Sequence, residues 1–233
     1  MDTRTLSHFA ALRFTRAFWD FPGEERRARA RSLLAALGGG ALGGDRATHC
    51  YQLYPTRQEA DLLVWSAVEA QEPDVPARFF RAFATALAPF RRWVEPATTL
   101  WGLTRPSPYV RRESASAIRP LEPRRLPYLV VYPFTKTHAW YRLSEEERRR
   151  LMGEHIQVGR RYGDVTQLLL YSFGLQDQDF VVVYETPDLA VFSELVRDLR
   201  ATEARLYTAA DTPILTAIGG EPEEVAAAWA GSA

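Results

Sequence analysis

The chain of 233 residues carries 29 basic and 29 acidic side chains, so its formal net charge is zero; 46% of it is hydrophobic and 25% charged. That is the composition of a globular chain able to bury a core, and it lacks the basic excess that nucleic acid or an anionic membrane surface would favour. A single cysteine, Cys50, excludes internal disulfides and cysteine-built zinc or iron–sulfur sites.

No stretch approaches the roughly 20 uncharged apolar residues of a membrane span. The opening MDTRTLSHFAALRF has an early acid and no long apolar run, so no signal peptide is expected and the cytoplasm is the expected compartment. Of the 29 basic residues, 28 are arginine and one, Lys136, is lysine. Arginine-rich codon usage explains the bias, but a confined site can distinguish lysine's slim point charge from arginine's planar fork.

In chain order, the first half predicts a strand over 8–15, a helix over 23–37 ended by the run Gly38 to Gly40, and strands over 47–55 and 60–68. A helix over 76–90, with Phe79, Phe80, Phe83 and Leu87 on one stripe, and a strand over 97–104 complete it. The proline- and arginine-rich segment 105–126 reads as a connector. The second half predicts a strand over 127–134 and a helix to about 162, opened by the capping pair Ser144 and Glu147. Strands over 165–172 and 180–185 come next, then a helix capped by Thr186 with Pro187 in its first turn, and a closing strand over 212–218. Each half therefore reads β-α-β-β-α-β. Two such ferredoxin-like halves, 1–112 and 113–233, imply an α+β fold of two packed sheets or one closed barrel.

Chemistry has few candidate carriers. His8 and His49 read as surface or packing histidines. His155 shares one helical stripe with Leu151, Val158 and Tyr162, so it points at the sheet. There it is either a hydrogen-bonded core residue or the single axial imidazole that a haem iron needs. Glu185, ending the apolar run FVVVYE, is either a carboxylate at the solvent end of its strand or the partner that fixes a ligating imidazole. Tyr132 and Lys136 bracket the end of a strand, with Trp140 and Tyr141 following. They are an edge tyrosine with a solvated lysine, or a phenol and an ammonium at the mouth of a carboxylate site. Gln167, polar within VTQLLLY, faces solvent or lends a neutral hydrogen bond to a cavity. No nucleotide-binding glycine motif, nucleophile elbow or zinc-protease motif is present.

Tyr132-Pro-Phe-Thr-Lys136 with Trp140-Tyr141, Glu154-His155, the stretch Ser172 to Phe180, Tyr184-Glu185-Thr-Pro-Asp-Leu189 and Arg200-Ala-Thr-Glu203 together resemble the chlorite dismutase-like superfamily. The likeness is dense from about 100 to 218 and thinner before, where Trp101 to Tyr109 also fits. It implies a dimeric α+β barrel of two ferredoxin-like halves, commonly assembled as a homopentamer, with haem in the C-terminal half. It further implies His155 as the iron ligand and Glu185 as its carboxylate partner. Chlorite-degrading members carry an arginine over the iron. Allowing one residue fewer after His155, the matching position here is Gln167, as in the coproheme decarboxylases. What that subgroup implies is peroxide-dependent oxidative decarboxylation of two propionates of Fe-coproporphyrin III (coproheme), giving haem b through a radical on Tyr132. Lys136 would then serve the reacting propionate, Arg119 would contact another, and Trp140 would pack at the macrocycle. Coproheme and hydrogen peroxide are the implied partners, with ferrochelatase as a supplier. Chlorite decomposition to chloride and dioxygen, or non-catalytic haem binding, are the alternatives.

Overall fold

Strand pairing in the computed structural model, which describes residues 4–38, 46–106 and 116–229, closes on itself. The first half runs β1 (Thr5–Phe14), α1 (Arg16–Trp19), α2 (Gly23–Gly38), β2 (Arg46–Gln52), β3 (Leu62–Glu69), α3 (Val75–Leu87) and β4 (Val94–Leu103). The second runs β5 (Tyr128–Lys136), α4 (His138–Arg142), α5 (Glu145–Gly159), β6 (Thr166–Tyr171), β7 (Phe180–Thr186), α6 (Leu189–Arg200), β8 (Thr208–Ala210), β9 (Leu215–Gly219) and α7 (Pro222–Ala227). The expected boundary at 112/113, Tyr109, and Gly39 with Gly40 lie outside the described residues.

The antiparallel order β7-β6-β4-β1-β3-β2-β9-β5 returns to β7, making a ring of eight strands, with β8 extending β5. Closure leaves no free sheet edge around the ring. The two halves meet at short seams: Tyr51↔Gly219 and Gln52↔Ile218 on one side, Leu103↔Tyr171 on the other. At the second seam a Cβ on Gly102 would come within 2.7 Å of Ser172 Oγ and 2.9 Å of Tyr171 O, so only glycine permits that approach. Beyond it the Gln176 amide stands in for a strand, accepting from Trp101 N (2.8 Å) and donating to Thr99 O (3.1 Å).

Both halves contribute to the lumen, through Phe9, Leu63 and Trp65 from one and Leu129, Val131, Val181 and Val183 from the other. Outside, the first half is covered by α2 and α3, and by α7, which returns from the far end of the chain to bury Val225, Ala226 and Trp229 there. His8 is buried under α3, its ring 5.6, 5.6 and 4.8 Å from Phe79, Phe80 and Phe83. The outer face of the second half is covered by α5 and α6. Ser144 caps α5, accepting from Glu147 N at 3.1 Å. Helix α6 starts two residues later than expected. Asp188, not Thr186, is its cap, because a carboxylate there reaches both Ala190 N and Val191 N, while Thr186 Oγ1 is engaged in a local turn with Asp188. Among the described residues no helix is long and apolar enough to cross a membrane.

Candidate functional site

The outer face of β5, β6 and β7 does not meet its helices everywhere. Between them opens a cavity of about 1460 Å³, larger than the roughly 300–1,000 Å³ of ordinary small-ligand sites. Strand parity decides what lines it. Along β5, Leu129 and Val131 point into the lumen, so Tyr132, Phe134 and Lys136 line the cavity. Along β6, Leu170 points inward and Gln167, Leu169 and Tyr171 outward. Along β7, Val181 and Val183 face the lumen while Phe180, Val182 and Tyr184 face the cavity.

His155 enters from the opposite wall, on α5. Burial first, then the charge of Lys136, pushes its pKa down to about 4. At neutral pH the ring is therefore uncharged, the form that ligates a metal. Lys136 closes one end of the site. Its amide donates to Asp179 Oδ2 (2.8 Å), which also accepts from the Tyr141 hydroxyl (2.6 Å). Its ammonium lies 4.2 Å from the Trp140 ring centroid and donates to Ala204 O (3.3 Å). Burial, then Arg205, lowers its pKa to about 8. Trp140 packs with Leu151 and Ala204 in a small core and lines the cavity.

Tyr132 and Tyr184 are neighbours across the strand pair, their near-parallel rings 6.4 Å apart. Burial above all, then its neighbours, raises the Tyr132 pKa well above the ordinary phenol, and burial takes Tyr184 to about 12. Both are neutral phenols at physiological pH. Arg119 lies on the cavity's edge in the segment before β5, its guanidinium 3.2 Å from Glu122.

Glu185 is not where the sequence placed it. It shares the lumen-facing parity of Val181 and Val183 and pairs across the sheet with the lumen residue Leu129. Its carboxylate lies 3.6 Å from Arg125, inside the barrel, so the sheet itself separates it from His155. The expected carboxylate–histidine pair is absent for that reason. No site role was legible in the sequence for Tyr184, or for the rim where Asp211 pairs with Arg205 (2.5 Å) and Arg200 (3.7 Å). These three rim residues come from separate elements, so no spacing advertises them; Tyr184 sits in an unbroken apolar run, where alternation is silent.

One neutral imidazole on the helix wall, an apolar sheet wall bearing a single amide, and a cationic rim suit a broad flat ring that carries a metal and carboxylates. Comparison with known proteins narrows the lineage. The chlorite dismutase family profile matches residues 16–219. The coproheme decarboxylase of Mycolicibacterium smegmatis is 31% identical over 172 residues, 71% of this chain and 70% of that one. That of Staphylococcus carnosus is 30% identical over 160 residues, 64% of each chain. The chlorite dismutase of Candidatus Nitrospira defluvii in complex with imidazole superposes with a TM-score of 0.81 at 25% identity, over 99% of this chain and 97% of that one. With its profile match and its 31% identical relative, the chain belongs to the chlorite dismutase family.

Proposed function

We propose that this protein is a coproheme decarboxylase, converting two propionates of Fe-coproporphyrin III to vinyl groups with hydrogen peroxide as oxidant. The observation that carries the proposal is a cavity in which an uncharged imidazole, His155, faces a sheet wall holding Gln167 and Tyr132. The residues present fit coproheme: one imidazole for its iron, aliphatic and aromatic walls for its ring, and Lys136, Arg119, Arg200 and Arg205 for its carboxylates. The relatives' names point the same way.

Bound coproheme, with peroxide, supplies the oxidising power. His155 would hold the iron from the helix wall, leaving the sheet side open to peroxide. Gln167 offers hydrogen bonds there without the charge that would hold an oxychlorine anion. Lys136 neutralises the propionate to be removed, its ammonium positioned by Trp140 and Ala204. Tyr132 gives up an electron and its phenolic proton, and the phenoxyl so formed takes a hydrogen atom from the propionate's β-carbon. Loss of carbon dioxide and a second electron leaves the vinyl group. Each propionate loses two electrons in all, which one peroxide, with two protons, consumes in forming two waters. Burial of Tyr132 and Tyr184 keeps water from quenching the radical.

The test is to titrate the protein with coproheme III, add hydrogen peroxide stepwise, and follow porphyrin masses. Successive loss of two carboxyl groups is the expected result. Bleaching without a change of side-chain mass would refute decarboxylation, and oxygen release on adding chlorite instead would move the protein to the chlorite-degrading branch.

A further inference from the structure

The displaced Glu185 is part of a buried polar cluster that the reaction does not use. Arg125 follows the segment 116–124 and turns its side chain into the barrel, 9% exposed, where it meets Glu185, 5% exposed, at 3.6 Å. Its guanidinium lies 4.9 Å from the Trp65 ring centroid, on the lumen wall. From there it reaches back, Nη2 donating to Arg119 O and to Glu122 O, both at 2.9 Å. Burial raises the Glu185 pKa to about 7, against the pull of Arg125 and of the Leu126 amide, so the pair carries both charges above neutrality. On the other side the segment is bound to β6, with Gln167 N donating to Ser116 O (2.8 Å) and Ile118 N donating to Gln167 O (3.0 Å).

The segment from Ser116 to Leu126 is thus an arm stitched at one end to the strand of Gln167 and at the other to a charge pair inside the barrel. It carries Arg119 at the edge of the cavity. The arm carries two prolines, Pro120 and Pro123, and one apolar anchor, Ile118, in the barrel core; a buried guanidinium that ties down two of its carbonyls adds order beyond that anchor. A buried ion is tolerated only with its partner in place, so the arm's geometry depends on Glu185.

We propose that Arg125 and Glu185 are positioning residues that act through the arm on Arg119, setting the protein's affinity for a tetra-carboxylate porphyrin. This rests on the reading of the cavity given above. Three ligand titrations by absorbance, with coproheme III, test it: Glu185→Gln, Arg119→Ala and the two combined. Glu185→Gln keeps size and a hydrogen-bond acceptor but removes the charge. It is expected to weaken coproheme binding about tenfold, as coupled neighbours do, with KM raised and kcat at saturation unchanged. The double variant should lose no more than Arg119→Ala alone, and Glu185→Asp should restore part of the affinity. Unchanged affinity in Glu185→Gln, or losses that multiply in the double variant, would overturn the proposal. Should Glu185→Gln not fold, Glu185→Leu with Arg125→Met removes the pair without stranding a charge, and the same titration is read on it. Amide hydrogen exchange of the ligand-free protein separates this idea from the function: exchange over 116–126 faster in Glu185→Gln upholds the brace even if coproheme fails to bind, and unchanged exchange rejects it.

Discussion

Protonation of His8 should cost the barrel stability in acid, by an amount the structure sets. Its ring is 4% exposed, ringed by Phe79, Phe80 and Phe83, and its Nδ1 has no hydrogen-bond partner among the described residues. Burial lowers its pKa from 6.5 to about 4. Above pH 6.5 the ring is neutral whether the chain is folded or not, and its full contribution is present. Between 6.5 and 4 the unfolded chain binds a proton that the folded one refuses, so stability falls as pH falls. Lowering the pKa from 6.5 to about 4 is worth about 3 kcal/mol. Urea unfolding of the parent protein and of His8→Leu, across pH 7.5 to 4, isolates this term, because His49 and Glu185 titrate in both and cancel. The parent should lose about 3 kcal/mol relative to the variant over that range. A difference that does not change with pH would mean that the three phenyl rings hold an imidazolium as readily as water does, and the desolvation argument would fail.

Two further outcomes concern the site. His155→Ala should lose most coproheme and haem affinity, read as absence of the ligated Soret spectrum on titration; an unaltered spectrum would remove His155 as the iron's ligand. Tyr132→Phe should bind coproheme with the parent's spectrum yet yield no mass loss with peroxide, because a phenyl ring has no accessible one-electron oxidation; normal turnover would take Tyr132 out of the mechanism.

Much of the site was legible because it lies where periodicity is strong. The spacing of Leu151, His155, Val158 and Tyr162 turned the imidazole toward the sheet, and the structure has it lining the cavity with Leu151 buried beside it. Tyr132 and Lys136, four apart on one strand, share a face for the same geometric reason. Gln167 needed only its parity, and its neighbours Leu168 and Leu170 supplied it. The short elements α1, α4, β8 and α7 went unforeseen, since three to six residues carry too little pattern to register.

Local sequence thus determined the succession of strands and helices and the faces of the helices, since apolar stripes and caps act within a few residues. Which side of β7 is inside was left to the tertiary structure. Val181, Val182, Val183 and Tyr184 are all apolar enough to bury, because this strand is covered on both faces, by the lumen and by the helices. With no polar alternation to break the tie, a one-residue change of parity would put Glu185 in the cavity and Tyr184 in the barrel. Closure of the ring settled it, by bringing Arg125 into the lumen where a carboxylate was needed and leaving the phenol to the site.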